Sequence, residues 1–251
     1  MKCKSDKEIK ILSQGGKKLA QIMRELVKMC EIGIRASDLD EYAEKRIKEL
    51  GGKPSFKGFG YIGQEFPNTL CVSANEMVVH GIPRKDLVFK EGDLIGLDIG
   101  MQYKGLFTDH AVTVPIGRIS HDAQRLLEAA EECLKIGIEQ CKVNNHLGDI
   151  GCAIQEFAEE KGFGVVKKLT GHAVGYAVHE NPKIPNYGKR GSGEKLEQGA
   201  VLAIEPMINL GTDDVKIASD GWGVITADNK YAAHFEHTVA VDKDGPRILT
   251  I

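Results

Sequence analysis

A chain of 251 residues with 42% hydrophobic and 27% charged side chains has the make-up of an ordinary globular protein, long enough to bury a sizeable core. Its formal net charge of -3 creates no field that would draw it to nucleic acid or to an anionic membrane. No apolar run approaches the ~20 residues needed to span a bilayer, and the lysine-rich start, Met1 to Lys10, lacks the apolar core of a secretory signal.

The first predicted element is a helix. Ser5-Asp6-Lys7-Glu8 has the form of a capping box, with Ser5 placed to accept from the Glu8 amide. Ile9, Leu12, Leu19, Ile22, Met23, Leu26 and Val27 then recur at nearly helical spacing up to about Cys30. The Gly15-Gly16 pair weakens the middle of this helix. A second helix starts at Ser37 or Asp38 and runs to Leu50, where Gly51-Gly52 ends it as a glycine cap. Segments rich in β-formers follow at Leu70 to Val72, Asp93 to Met101 and Ala111 to Ile116, and Asp93 to Asp98 alternates polar with apolar. Helices are predicted again from about Ser120 to Cys141 and from about Asp149 to Lys161, the latter stopped by Gly162. Strands follow near Val165 to Leu169, Ala200 to Ile208, Trp222 to Thr226 and His237 to Asp242.

A helix pair followed by strands therefore occurs twice. Asp38-Leu39 and Asp149-Ile150 open comparable helices, and Gly51 and Gly162 close them, each at an offset of 111 positions. A duplicated α/β unit fits this pattern, but two matching offsets do not separate duplication from chance. No linker divides the chain, so residues 1–251 are read as one domain. The six cysteines form no CxxC pair, which excludes zinc-finger and thioredoxin-type readings and leaves the reduced thiols of a cytoplasmic protein as the expectation.

Five polar residues stand on strand-like segments or at their ends. They are Asp98 in Gly-Leu-Asp-Ile-Gly, Asp109 in Phe-Thr-Asp-His, His172 in Gly-His-Ala-Val-Gly, Glu205 in Ala-Ile-Glu-Pro-Met and Glu236 in His-Phe-Glu-His-Thr. A lone ionised carboxylate is costly beside the apolar residues of a core strand. At ~4 Å and an effective dielectric of ~20, each like-charged pair costs about 4 kcal/mol. Two divalent cations would balance the four carboxylates, with a neutral histidine completing the set. Taken singly, each residue is equally at home as a turn cap or on a solvated face, and nothing in the residues themselves brings the five together.

That step comes from resemblance. Asn75-Glu-Met-Val-Val-His80-Gly-Ile-Pro83, Asp98-Ile-Gly, Thr108-Asp109, Gly171-His172-Ala-Val-Gly175, His179-Glu-Asn-Pro182, Glu205-Pro-Met207 and Glu236-His-Thr238 together resemble the methionine aminopeptidases, in the family's order. The ligand intervals of 11, 63, 33 and 31 residues also resemble the family's. The resemblance implies an α+β pita-bread fold, in which helices flank a central antiparallel sheet with an internal pseudo-two-fold repeat. It implies that Asp98 holds one metal ion, that Asp109 and Glu236 bridge two, and that His172 and Glu205 complete the shell of the other. Oxygen ligands with one imidazole suit Mn, Fe, Co or Zn rather than thiolate-seeking metals. Glu205 is implied as the group that takes a proton from the attacking water, His179 as a donor to the scissile carbonyl oxygen, and His80 as a contact to the backbone nitrogen beside the cut. His110, His234 and His237 match no ligand of the family and are expected to be structural or to support the ligands.

For the methionine side chain, the resemblance places Phe66, Cys71, Val178 and Trp222 around an apolar pocket, with Phe59 and Tyr61 nearby. The Gly58–Phe66 stretch is one residue longer than the commonest family pattern. The implied substrates are peptides and nascent chains with N-terminal methionine followed by a small residue, and ribosome contact is implied with them. A monomer is expected, without nucleic-acid or membrane binding. The 32 residues between His172 and Glu205 leave no room for the helical insertion of second-type enzymes, so the short first-type form is the better match. Two alternatives share the fold: the Xaa-Pro peptidases, which usually carry a further N-terminal domain, and non-catalytic relatives, which have lost ligands.

Overall fold

The computed structural model describes residues 1–251. Helix α1 spans Asp6–Met29, and its first turn carries the predicted capping box between Ser5 and Glu8. The Gly15-Gly16 pair does not interrupt it. Both glycines are buried, and a Cβ on Gly16 would lie 2.2 Å from the carbonyl oxygen of Leu249. The pair therefore marks where α1 presses against the sheet. Helix α2 spans Ala36–Glu49, α3 spans His121–Glu139 and α4 spans Leu147–Glu160. None of the helices is long and apolar enough to cross a membrane.

The main sheet has nine strands, all paired antiparallel. Along its principal path run Lys53–Pro54, Leu94–Tyr103, Leu106–Pro115, Glu236–Asp242, Val201–Ile204, Thr170–Ala173 and Glu180–Pro185. Leu70–Ala74 also pairs with Leu94–Tyr103, and Gly245–Ile248 also pairs with Glu236–Asp242. One half of the sheet is covered by α1 and α2, which close a core around Leu19, Ile22, Leu39, Ile47, Ile95 and Leu97. The other half is covered by α3 and α4, around Leu126, Ile150, Ile154, Leu202 and Val239. This is the α+β arrangement of helices over a curled antiparallel sheet.

The repeat is visible in the helices. Helices α2 and α4 are both 14 residues long, and they start and end 111 positions apart. Each is preceded by a lone β-bridge at its N-cap residue, Arg35 to Val88 in one and His146 to Lys195 in the other. Gly51 and Gly162, one position past each C-cap, both adopt positive φ.

Two predicted strands prove to be interrupted. Ala200 to Ile208 divides into Val201–Ile204 and Met207–Asn209, because Pro206 has no amide to give a ladder. The segment expected at Val165 to Leu169 is only Gly164–Val165, and the longer strand starts later, at Thr170. There Gly171 lets two backbones approach: a Cβ on it would lie 2.4 Å from the Ala203 carbonyl oxygen. All six cysteines are free thiols, as expected.

Candidate metal centre and active site

Sheet register carries the five candidate ligands to one face. Residues directly opposite in an antiparallel ladder point the same way, and so do residues two apart on a strand. Asp98 lies opposite Ala111, Ala111 opposite Glu236, Thr238 opposite Ala203, and Ala203 opposite His172. Asp109 is two residues from Ala111, and Glu205 is two residues past Ala203. One unbroken chain of register relations thus joins all five, although they come from five separate strand segments.

The side chains meet in one cavity lined by Asp98, Asp109, His172, Glu205 and Glu236 together with His80 and His179. Ligand atoms of Asp109, His172 and Glu236 lie within 4.8 Å of one another. His172 Nε2 stands 3.4 Å from Glu205 Oε1. Its Nδ1 is 3.1 Å from the Ala173 carbonyl oxygen, so the proton sits on Nδ1 and the Nε2 lone pair faces the cluster. Asp109 is clamped through its backbone: its amide donates to Thr238 Oγ1, whose hydroxyl donates to the Asp109 carbonyl, both at 2.8 Å. Asn186 donates to the Glu205 carbonyl oxygen at 2.9 Å.

These residues fit a divalent cation. Asp98 Oδ1 and Glu236 Oε1 are buried and have no hydrogen-bond partner, which is costly unless something else satisfies them. Burial pushes the Asp98 carboxyl up to about 7. Burial, with the neighbouring carboxylates adding to it, holds Asp109, Glu205 and Glu236 well above the ordinary carboxylate range. Burial also keeps His172 neutral, down to about 3, and His80 down to about 4. The set is mostly oxygen with one imidazole, suited to a borderline or hard divalent ion.

His179 sits at the mouth, with its ring 4.3 Å from that of His172 and in edge contact with Phe59 at 5.0 Å. The loop that carries it is tied down by Glu180, which accepts from the Tyr176 amide at 2.6 Å and pairs with the buried ammonium of Lys4 at 3.2 Å. His80 takes positive φ of 60°, a conformation that costs a residue with a Cβ and recurs at functional sites.

The apolar wall consists of Phe56, Phe59, Phe66, Cys71 and Trp222, with Phe66 and Trp222 in edge contact at 5.3 Å. Val178 packs in the same cluster as Phe56, Phe66 and Cys71 but lies behind the wall. Tyr61 is 85% exposed on a small hairpin of Gly60–Tyr61 with Gln64–Glu65, whose Gly60 lies against Trp222 of the wall. Phe56 had no signal of its own in the sequence. The trace it leaves is Gly100, on the ligand face opposite Asp109, where a Cβ would come within 2.7 Å of the Phe56 ring.

The remaining histidines divide. His110 and His237 alternate to the opposite face and stack on each other at 4.6 Å; His110 Nδ1 is 2.6 Å from the Glu236 carbonyl oxygen. His234 stays near the site, behind Glu205.

An antiparallel sheet that gathers four carboxyls and an imidazole beside an apolar pocket defines a metal-dependent hydrolase. The chain matches the family described as metallopeptidase family M24 over residues 10–243. It is 44% identical to a methionine aminopeptidase of Clostridium acetobutylicum, over 99% of this chain and 98% of that one. The crystal structure of the methionine aminopeptidase from Thermotoga maritima superposes with a TM-score of 0.96 at 40% identity, covering 100% of this chain and 99% of that one. A prolidase from Pyrococcus horikoshii shares the fold at a TM-score of 0.78 and 21% identity, covering 99% of this chain and 63% of that one. The chain belongs to metallopeptidase family M24 and, within it, to the methionine aminopeptidases of the first type.

Proposed function

We propose that this protein removes the N-terminal methionine from peptides and nascent polypeptides whose second residue is small, with two divalent ions held by Asp98, Asp109, His172, Glu205 and Glu236. The observation that carries this reading is the convergence of those five side chains on one sheet face beside the Phe66–Cys71–Trp222 wall. Asp98 would serve one ion and His172 and Glu205 the other, with Asp109 and Glu236 placed between them. When bound, such a pair lowers the pKa of a water and offsets the charge that builds up on the attacked carbonyl.

The chain's own residues supply the rest. Glu205, ionised when the ions are bound, would accept the proton released from the attacking water. His179 is neutral near pH 7, since burial lowers it, and donates to the scissile carbonyl oxygen as that oxygen gains charge. His80, also neutral, contacts the backbone nitrogen beside the cut. Phe66, Cys71 and Trp222 enclose an unbranched thioether, and Val178 backs them. A steric clash at the neighbouring position would account for the requirement that the second residue be small. We place the protein in the cytoplasm, acting on chains as they leave the ribosome, where its six thiols stay reduced.

The test is cleavage by purified, metal-supplemented protein of two peptides, Met-Ala-Ser and an Xaa-Pro peptide. Release of methionine from the first alone is expected. Cleavage of the second alone would assign the protein to the prolidase branch.

A further inference from the structure

His234 Nε2 is the only buried side-chain nitrogen in the molecule without a hydrogen-bond partner. The residue is 4% exposed, and the nearest carboxylate oxygen is Glu205 Oε2, at 3.6 Å. Its backbone cannot drift, because the His234 amide donates to Thr113 Oγ1 at 2.9 Å and that hydroxyl donates to the His234 carbonyl at 2.8 Å.

The local fold explains why it points there. Ile204 pairs with His237 in the main sheet, and Met207 pairs with His234 in a separate small sheet. Between these two pairings both strands break, at Glu205-Pro206 and at Phe235. Glu205 and His234 stand on the two sides of that break. Pro206 enforces it, since it can give no ladder bond.

We infer that His234 is a positioning residue that donates its Nε2 proton to Glu205 Oε2 and holds this carboxylate in the orientation from which it binds metal and accepts a proton. Nε2 has no other partner, and the ionised Glu205 that the proposed role requires can only accept, so the imidazole proton belongs on Nε2. An approach of about 0.7–0.9 Å completes a charge-assisted bond of ordinary length. Glu205 Oε1, on the His172 side, is left free for the cluster. The inference rests on the role of Glu205 proposed above.

Two polar, uncharged replacements separate the role from mere packing. In His234→Gln the amide nitrogen reaches the Nε2 position; in His234→Asn it stops near Nδ1. With both variants shown to fold by their melting transitions, His234→Gln should keep kcat on Met-Ala-Ser within ~3-fold. His234→Asn should lose ~10-fold or more in kcat with KM little changed, and its Mn²⁺ affinity in calorimetric titration should fall by ~10–100-fold, as when other outer partners of ligands are removed. Equal kcat and equal Mn²⁺ affinity in the two variants would overturn the inference, whether both are active or both impaired. Glu205→Gln is the independent control. Full turnover in that variant would remove the role given to Glu205 itself, whereas an inactive Glu205→Gln beside indistinguishable His234 variants removes only the inference about His234.

Discussion

The two halves of this molecule share a helix pair and differ in how their strands reach the site. In the first half, Leu94–Tyr103 and Leu106–Pro115 form one hairpin paired without interruption over ten positions, and it delivers Asp98 and Asp109 at fixed register. In the second half the strands are short. Glu205 stands just past the end of Val201–Ile204, Glu236 is the first residue of its strand, and His179 lies on a loop. The regular half holds two of the five cluster residues on one rigid hairpin, and the interrupted half brings the other three from short strands and strand ends, with His179 on a loop beside them. Long ladders fix positions, whereas breaks in ladders turn side chains and leave room for a peptide.

Substitutions in the two halves should therefore fail differently. The largest effect is expected in the regular half: Asp109→Asn should cut both metal affinity and kcat/KM by more than ~10²-fold, beyond what loss of an outer partner costs. Retention of stoichiometric metal and full turnover would remove Asp109 from the shared position. On the interrupted side, His179→Ala should lower kcat by ~10²-fold while leaving metal content unchanged, because it takes away one donor to the developing oxyanion. Loss of metal in that variant would show that the loop holds the cluster rather than the substrate.

A smaller effect concerns stability without metal. Burial raises the cluster carboxyls, so the folded metal-free protein keeps protons that the unfolded chain has released. Their contribution is intact below the ordinary carboxylate range, near 4, and is lost as pH rises through the folded values, about 7 for Asp98. The buried histidines work the other way: folding holds them neutral, so their contribution is lost as pH falls below about 6.5. A paired comparison isolates the carboxyls. Metal-free Asp98→Asn should melt several degrees above the metal-free parent at pH 8, with the gap closing toward pH 5. A gap that is constant with pH would contradict a crowded, proton-holding cluster.

The smallest effects compare the two helix seats. A Cβ at Gly16 of α1 meets the Leu249 backbone at 2.2 Å, so Gly16→Ala should cost about 1–3 kcal/mol, seen as a lower melting temperature. At Gly137 of α3 the nearest atom is the flexible end of Ile154, 2.8 Å away, and helix propensity gains about 1 kcal/mol from alanine. Gly137→Ala should therefore lie within about 1 kcal/mol of the parent. Equal penalties at the two positions would mean that α3 is seated as tightly as α1.

The same contrast decides what could be read from the chain alone. The helices were legible because capping residues, apolar spacing and terminal glycines are local signals, and the Ser5 box and the Gly51 and Gly162 stops lie where those signals put them. The ligands were legible as separate motifs, but their meeting depends on register between strands up to 138 positions apart, as with Asp98 and Glu236, which no local pattern encodes. The break at Pro206 was hidden inside a run of β-formers. Phe56, Lys4 and Glu180 were missed because their roles depend on distant partners: a glycine opposite Asp109 for Phe56, and for the other two an ion pair across 176 positions.

Anomalous scattering from a crystal grown with Mn²⁺ and measured at its absorption edge tests most directly whether this sheet face is a two-ion site. Two peaks are expected, one against Asp98, Asp109 and Glu236, the other against Asp109, His172, Glu205 and Glu236. Peaks elsewhere, or none between these side chains in protein saturated with the ion, would contradict it.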